Sequence, residues 1–397
     1  MKKIKKCILC SSKNLKNVIS IGNVPPVNQL TSKPGMKIRS IQANLLYCKT
    51  CGHGQQEYQF DEEKIFKNYK YVSGTTKTLN KFFKDFANLI NNSLEKNDNI
   101  LELACNDGTF LKYLNNKKLN LFGIDPAKKI LPYKIKKKIK FYNKFWPIKN
   151  FNKNFKLIIG FNVLAHCKNP SLFFQESVKH LDDDGVLIFQ TSQVNMFKNF
   201  EFDTIYHEHY SFFTKQSMEF LGNKFNLKYK LFQTDIHGDS LLAIFYKTKN
   251  KRSAKLLNNI KNTKIKKLIQ KKVNISEFQK QAVKIKDKIS FISKKYRQRS
   301  YKIIFVGAAA KTITFMYFTK LNVDYVIDES KLKIGNYIPN TKIKIRSFKF
   351  VKQIDKKCLF IIGAWNFFTE IHNKIKVIRS KNKNDKFMRY FPKFDLR

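Results

Sequence analysis

Ile100-Leu101-Glu102-Leu103-Ala104-Cys105-Asn106-Asp107-Gly108-Thr109-Phe110-Leu111 reads as a buried strand, a polar turn closed by one glycine, and the start of a helix. A turn of this kind lets backbone approach a ligand over the end of a strand. The single glycine departs from G-x-G-x-x-G, so a dinucleotide pyrophosphate is poorly served, while Glu102 and Asp107 are placed to meet an amino or hydroxyl group. Outward from this stretch the pattern alternates. Upstream, Leu79, Phe82, Phe83, Phe86, Leu89 and Ile90 keep helical spacing; downstream, 119–125, 157–164 and 186–191 are apolar runs of buried-strand type. That alternation predicts a parallel α/β sheet with helices on both faces. The runs 227–235 and 240–246, four residues apart, predict an antiparallel hairpin at the sheet edge.

The second strand ends in Gly123-Ile124-Asp125, and an acid there can accept both hydroxyls of a ribose. An acid after the glycine turn and another after the second strand suit S-adenosylmethionine, with other nucleotides as the competing ligands, since fold does not fix ligand. A second αβ unit opens at 303–307. Its Gly307-Ala-Ala-Ala-Lys311 follows a strand and begins a helix, so small residues let a phosphate, most naturally a diphosphate, meet the helix N-terminus, with Lys311 adding charge. Plain helix–strand packing by small residues is the alternative reading.

Cys7-x-x-Cys10 and Cys48-x-x-Cys51 have the form of two zinc knuckles, and four thiolates complete one tetrahedral shell. With no open position the metal is expected to be structural, although His53 competes as a ligand. Cys105, Cys167 and Cys358 sit in apolar contexts and read as core.

At 397 residues, with 43% apolar and 14% aromatic residues, the chain can bury more than one core. No apolar run is long enough for a membrane span and no leader is evident, so a cytoplasmic protein is expected. The formal charge of +49 raises nucleic acid as a partner. Yet only eight of the 78 basic residues are Arg (39, 252, 297, 299, 346, 379, 389 and 397), and Lys is a solvated point charge rather than the fork that reads bases and phosphates. The most basic stretch, 250–302, carries Phe278, Ala282, Ile285, Ile289, Ile292 and Tyr296 at steps of four and three, so its charges read as the wet face of a helix. Neither a specific nucleic acid nor a membrane is expected as partner.

In order along the chain, several motifs resemble the S-adenosylmethionine-dependent sugar C-methyltransferases that act on nucleotide-linked 4-keto-hexoses. They are the two cysteine pairs, Pro25-Pro26-Val27-Asn28, Tyr69-Lys-Tyr71-Val-Ser73-Gly74-Thr75, the Glu102 to Leu111 turn and Asn162-Val-Leu-Ala-His166. Tyr206-His207-Glu208-His209, His237-Gly238-Asp239-Ser240-Leu241, Gly307 to Lys311, Asp324 to Asp328 and Trp365-Asn366 continue the series. The resemblance implies a zinc-binding domain over 1–70, a class I methyltransferase (Rossmann-like) core over 71–250, and a helical linker with a C-terminal Rossmann-like domain over 251–397. It implies His209 as general base beside Tyr206 and Glu208. Glu102, Asn106, Asp107, Gly108, Asp125 and Asn162 then belong to the cofactor. A dTDP-linked sugar falls to Tyr69, Tyr71, Ser73, His166, His237, Gly307, Lys311, Trp365 and Asn366. Two positions depart from the family pattern, Asp239 and Thr312, each standing where glycine is usual.

The chemistry agrees with that implication. A carbon beside a ketone becomes nucleophilic when a base removes its proton and the oxygen is held as enolate, and an imidazole titrating near 6.5 is suited to the task. Tyr206 is a candidate donor to that oxygen. His166, after a core strand, is the rival base. A zinc-knuckle RNA methyltransferase and a non-catalytic sugar-nucleotide protein are the rival functions.

Overall fold

The computed structural model describes residues 2–67, 72–75, 77–114, 118–127, 138–192, 194–236, 239–263, 265–270 and 272–397. Beside a two-stranded ribbon of Lys2–Lys3 and Tyr58–Gln59, three larger sheets organise the described residues, and each follows from the hydrophobic pattern of its long strands. The central sheet has eight strands, in the order Lys140–Tyr142, Asn120–Ile124, Asn99–Leu103, Phe155–Phe161, Leu181–Ser192, Ser240–Tyr246, Lys228–Thr234, Lys266–Lys267. The first five run parallel and the last three pair antiparallel. Strand Asn99–Leu103 is flanked by Asn120–Ile124 on one side and Phe155–Phe161 on the other, so the order reverses there, and the turn after it opens at a topological switch point. This is the expected Rossmann-like α/β core.

The predicted hairpin forms, with a different placement. Ser240–Tyr246 is buried along its whole length because it inserts between Leu181–Ser192 and Lys228–Thr234. The short strand Lys266–Lys267 then pairs outside Lys228–Thr234. Helix Lys251–Lys261, which composition assigns to the C-terminal part, packs Leu256 and Ile260 into the same core as Ile100, Ile188 and Ile244. The central unit therefore extends to about residue 268.

Arg252 secures that extension. Its guanidinium donates to Asp98 Oδ2 at 2.6 Å, to Asp98 Oδ1 at 3.3 Å and to the Ser93 carbonyl at 2.7 Å, and both side chains are buried. Arg252→Ala leaves a buried carboxylate uncompensated, and the expected cost is about 3–5 kcal/mol. A lowered denaturation midpoint, restored when Asp98 is also replaced by an apolar residue, is the measurement that checks it.

The C-terminal sheet has the order Ile345–Arg346, Tyr325–Ile327, Lys302–Val306, Cys358–Ile362, Lys386–Arg389, Asp395–Leu396, parallel except at the last strand. Helix Ile275–Gln298 precedes it and buries Phe278, Ala282 and Ile289 as its spacing predicts.

The N-terminal sheet is antiparallel, in the order Leu15–Val24, Ile41–Cys48, Gly54–Gln56, Ser211–Phe212. Its fourth strand comes from the middle of the chain. The core beneath it is shared: Val18, Ile21 and Leu45 pack with Met196, Phe202 and Phe212, and with Phe278, Phe305, Phe315 and Phe391. The segment 194–213 thus runs through the junction of all three parts.

Candidate active site

Cys7 and Cys10 lie in one tight turn, closed by the Ser11 amide donating to the Cys7 carbonyl at 2.9 Å. Cys48 and Cys51 lie in its counterpart, closed by the Gly52 amide on the Cys48 carbonyl at 2.9 Å. The sulfurs of Cys7 and Cys51 are 3.5 Å apart, those of Cys10 and Cys48 are 3.6 Å apart, and all four lie within 4.8 Å of one another. A tetrahedral ion with bonds of about 2.3 Å has sulfur–sulfur edges of roughly 3.8 Å, so the four residues fit zinc with a closed shell. The hydrogen bond from Cys51 holds the Cys7 thiol down to about 6, which favours a thiolate there. His53 is no ligand: it is buried, bonds Ser211 Oγ through Nε2 at 3.1 Å, and is driven down to about 3 by that burial. Cys105 and Cys358 are buried core residues, and Cys167 bonds the Val163 carbonyl.

At the central switch point, Ala104 (φ 55), Asn106 (φ 50) and Gly108 (φ 69) all adopt left-handed backbone, which curls the turn into a cradle of amides. Asp125 fastens this cradle from the next strand. Its Oδ2 accepts from the Asn106 amide at 2.9 Å and its Oδ1 from the Ala127 amide at 2.8 Å, leaving one lone pair on each oxygen toward the site. Asn143 Nδ2 donates to the Asp125 and Ala127 carbonyls at 2.8 and 2.9 Å and fixes the same loop. Glu102 is buried beneath the turn, and its Oε2 has no hydrogen-bond partner among the described residues. Burial, with Asp107 and Asp125 nearby, raises its pKa well above the carboxylate range. An orphaned buried carboxyl oxygen beside an amide cradle and a ribose-type acid fits an adenosine cofactor with a charged amino end.

Asn106 and Asp107 behave differently from expectation. Their side chains hold a strap: Asn106 Oδ1 accepts from the Ser73 amide at 2.9 Å and Asp107 Oδ2 from the Gly74 amide at 3.0 Å. Ser73, expected on the sugar, is therefore held at the cofactor turn. A Cβ on Gly74 would lie 2.4 Å from Asp107 Oδ2, so the close approach requires glycine. Asn162, at φ 56, accepts from the Ser192 amide at 2.9 Å and ties together the ends of two neighbouring strands at this edge.

The histidine cluster sits on the junction segment. His209 Nδ1 is 3.1 Å from the Thr204 carbonyl, which can only accept, so Nδ1 carries the proton and Nε2 the lone pair. The Tyr206 hydroxyl donates to that Nε2 at 2.7 Å. By the same reasoning, the Glu208 carbonyl, 2.7 Å from His166 Nδ1, leaves the His166 lone pair on Nε2. The two imidazoles are 5.0 Å apart. Burial, with the His166 and Lys311 charges adding to it, pushes His209 well below its ordinary 6.5, and burial lowers His166 too. Both rings are neutral near pH 7. The Glu208 carboxyl, expected beside His209, turns to the N-terminal part instead: Oε1 accepts from Asn28 Nδ2 at 3.0 Å, Oε2 has no partner among the described residues, and burial raises its pKa. What Glu208 orients, through its carbonyl, is His166.

The N-terminal sheet fixes this segment from below. Gln56 Nε2 donates to the Tyr206 carbonyl at 3.2 Å, the Gln56 amide to the Tyr210 carbonyl at 3.0 Å, and His207 Nε2 to the Ile41 carbonyl at 3.2 Å.

From the other side comes the C-terminal sheet. Gly307 (φ 98) turns the chain, and the Ala308 amide donates to Asp328 Oδ2 at 2.7 Å while Asp328 Oδ1 accepts from Ser330 at 2.8 Å, the clamp that Asp125 makes in the central sheet. Among the described residues helix Ala310–Thr319 has no side-chain N-cap, so its first amides lack the partner such a cap supplies. Lys311 Nζ lies 4.2 Å from the Trp365 ring centroid, and the Trp365 indole N–H donates to Asp203 Oδ2 at 2.8 Å. The Lys311 charge bears on the buried acids Asp203 and Glu201 as well as on His209. Burial lifts Asp203 to about 7 against the pull of Lys311. Asn366 is exposed, and Tyr69, Tyr71 and His237 lie outside the described residues.

Sequence reasoning missed Asp203, Glu201 and the role of Asn28. The signal for the acids was their alternation with Phe200 and Phe202 in an otherwise apolar run. The two departures from the family pattern are accommodated. Asp239 adopts φ 74 and accepts from Asn195 at 2.7 Å, while the Thr312 hydroxyl sits where a Cβ at position 363 would meet it at 2.5 Å, so Gly363 supplies the space.

Three family models match successive stretches of the chain. A family model described as "Putative zinc binding domain" matches residues 7–66, one described as "Methyltransferase domain" matches 75–230, and one described as "C-methyltransferase C-terminal domain" matches 235–392. Among curated relatives, C-methyltransferase NovU of Streptomyces niveus is 21% identical over 254 residues, and the match spans 60% of each chain. Among solved structures, the plantazolicin methyltransferase BpumL in complex with SAH shares 13% identity (43% of this chain, 87% of that one, TM-score 0.35). An S-adenosylmethionine-dependent methyltransferase from Clostridium acetobutylicum ATCC 824 shares 14% (41% and 91%, TM-score 0.34). Among the described residues no helix is long and apolar enough to cross a membrane.

Proposed function

We propose that the chain transfers a methyl group from S-adenosylmethionine to the carbon beside the ketone of a dTDP-linked 4-keto-deoxyhexose, in the cytoplasm. The observation that carries this reading is the pair of neighbouring neutral imidazoles, His209 buried and His166 half-buried, each with its lone pair on Nε2, with a phenol on one of them. Such a group is built to remove a proton from carbon, and a C-methyltransferase needs that step because an unactivated carbon is no nucleophile.

S-Adenosylmethionine, when bound, supplies an electrophilic methyl on its sulfonium. Asp125 holds the ribose hydroxyls through the two lone pairs its amide partners leave open, and Glu102 beside the 104–108 turn meets the amino acid end. On the sugar side, His209 Nε2 takes the α-hydrogen. The Tyr206 hydroxyl, which caps that nitrogen, yields it to the C–H and remains near enough to donate to the carbonyl oxygen. The open amides of helix Ala310–Thr319 and the Gly307 turn receive the diphosphate.

Asp125→Ala removes both ribose acceptors and the clamp on Asn106, and is expected to weaken S-adenosylmethionine binding by about 1.5–3 kcal/mol, measured by calorimetry. The functional reading itself is tested by product mass spectrometry after incubation with labelled S-adenosylmethionine and a panel of 4-keto sugar nucleotides. Label appearing in RNA and in none of the sugars would replace this reading with an RNA methyltransferase.

A further inference from the structure

The Lys311 ammonium lies over an aromatic face and, among the described residues, makes neither an ion pair nor a hydrogen bond. Its surroundings are buried. Trp365 is 5% exposed, Asp203 0% and Glu201 1%. Among the described residues, Asp203 Oδ1 and the Tyr390 hydroxyl are both buried without partners. Lys311 itself is half-buried, so its stem lies along this buried wall while its ammonium stays at the mouth. With no carboxylate in contact among the described residues, its N–H donors remain open to a ligand.

The direction of that opening decides what the ligand group is. In a 4-keto sugar nucleotide the diphosphate is attached at C1, and the ketone stands across the ring at C4. The carbon that loses its proton neighbours C4, so the base sits at the ketone end. Lys311 lies over Trp365, Trp365 bonds Asp203, and the carbonyl of the next residue, Thr204, holds His209, so the lysine shares that end. The Gly307 turn and the open helix amides lie on the backbone just before the lysine, where the diphosphate is received without it.

Resting on the function proposed above, we infer that Lys311 is a catalytic residue that holds the enolate oxygen, positioned by Trp365 and Asp203, rather than a diphosphate ligand. His209 Nε2 accepts the α-hydrogen as a proton, the C–H pair becomes the new C=C bond, and the carbonyl π pair moves onto oxygen beside the ammonium. The enolate carbon then bonds the methyl, and the broken C–S bond leaves its pair on sulfur. Charge stays balanced throughout: the enolate forms between an imidazolium and an ammonium, which stabilise it more than they stabilise the neutral ketone. Asp203 is a positioning residue, since its Oδ2 fixes the indole on which the lysine lies.

Solvent-deuterium exchange into dTDP-4-keto-6-deoxyglucose, with S-adenosylhomocysteine in the cofactor site, tests the assignment. Lys311→Met keeps the stem on Trp365 and removes the charge. It is expected to slow exchange at saturating sugar nucleotide by roughly 100–1000-fold, the range for loss of one oxyanion donor, while calorimetric affinity for dTDP alone changes by less than about threefold. Lys311→Gln, with a neutral donor, is expected to fall between. Asp203→Asn, which retains an acceptor for the indole, is expected to keep more exchange than Asp203→Ala at unchanged dTDP affinity, a rescue that general destabilisation would not give. If Lys311→Met weakens dTDP more than about tenfold and leaves saturated exchange intact, or if Lys311→Gln equals wild type, the lysine is a diphosphate ligand or a bystander and the inference falls. Wild-type protein that exchanges deuterium into no 4-keto sugar nucleotide overturns the functional reading itself, and this inference with it.

Discussion

His209→Ala is expected to abolish methylation and solvent-deuterium exchange together, each by about 10²–10⁴-fold, while affinity for S-adenosylhomocysteine stays within about twofold of wild type. The two losses coincide because one nitrogen serves both: exchange and methylation share the step that removes the α-proton. Cofactor affinity is spared because the cradle at 104–108 and Asp125 are fastened by Ser73, Gly74, Ala127 and Asn143, none of them from the histidine segment. His209 is pushed well below 6.5, so its basic form persists as pH falls through the range where an exposed histidine would protonate. Wild-type exchange is accordingly expected to show no loss centred near pH 6.5 that belongs to this residue. His166 gives the control. It carries its own Nε2 lone pair 5.0 Å away, so a result in which His166→Ala stops exchange and His209→Ala does not would move the base by one ring and leave the rest of the site standing.

How much of this site was legible in the sequence depends on how far each residue's partners lie along the chain. The cysteine quartet was legible because two short spacings and one ligand type state the chemistry, and only the competition from His53 needed coordinates to resolve. Asp125 was legible because an acid at the end of the second strand follows from the position of the glycine turn. The failures have a common form. Glu208 beside His209 suggests a local pair, yet its carboxyl goes to Asn28, 180 residues away, and its carbonyl goes to His166. Lys311 in a glycine-alanine turn suggests a phosphate, and nothing in that turn announces Trp365, on whose ring its ammonium lies, or Asp203, which holds the indole. Helix and strand periodicity carries no information about which distant side chains close on a buried polar atom.

The fold shows the same division. Each run of apolar residues that predicted a strand in the central and C-terminal sheets formed one, because burial on both faces leaves little choice of conformation. The hairpin at 228–246 was right in pairing and wrong in place: Ser240–Tyr246 is apolar at nearly every position, which marks an interior strand rather than an edge. The boundary near 250 failed for a different reason. Charge composition changes there, but Leu256, Ile260 and Arg252 still belong to the central core, so a truncation at 250 would strip Asp98 of its partner and uncover Ile244 and Ile100. A cut at that point tests stability before it tests substrate binding.

The shared N-terminal sheet makes the metal matter to catalysis despite its closed shell. Zinc removal by a strong chelator, or Cys48→Ser, is expected to reduce turnover at least about 100-fold while cofactor affinity changes little. The chain of contacts is short. Cys48 ends strand Ile41–Cys48, and Cys51 closes the turn that leads into Gly54–Gln56. Gly54–Gln56 in turn pairs with Ser211–Phe212 and donates from Gln56 to the Tyr206 and Tyr210 carbonyls. Structural zinc sites contribute about 10–16 kcal/mol of apparent binding energy, far more than the handful of hydrogen bonds that would be left to hold these strands. Without the metal the turn opens, the sheet loses its register, and Tyr206 and His209 lose the frame that keeps Nε2 within reach of one proton; catalysis is sensitive to displacements of that order. The cofactor turn rests on the central sheet and keeps its geometry. Hydrogen exchange is the measurement that separates the outcomes: loss of protection should extend from the cysteine turns into the amides of 206–212. Metal-free protein with protection lost only in the first 60 residues and with full turnover would show that the zinc module and the catalytic segment are energetically independent, whatever contacts join them.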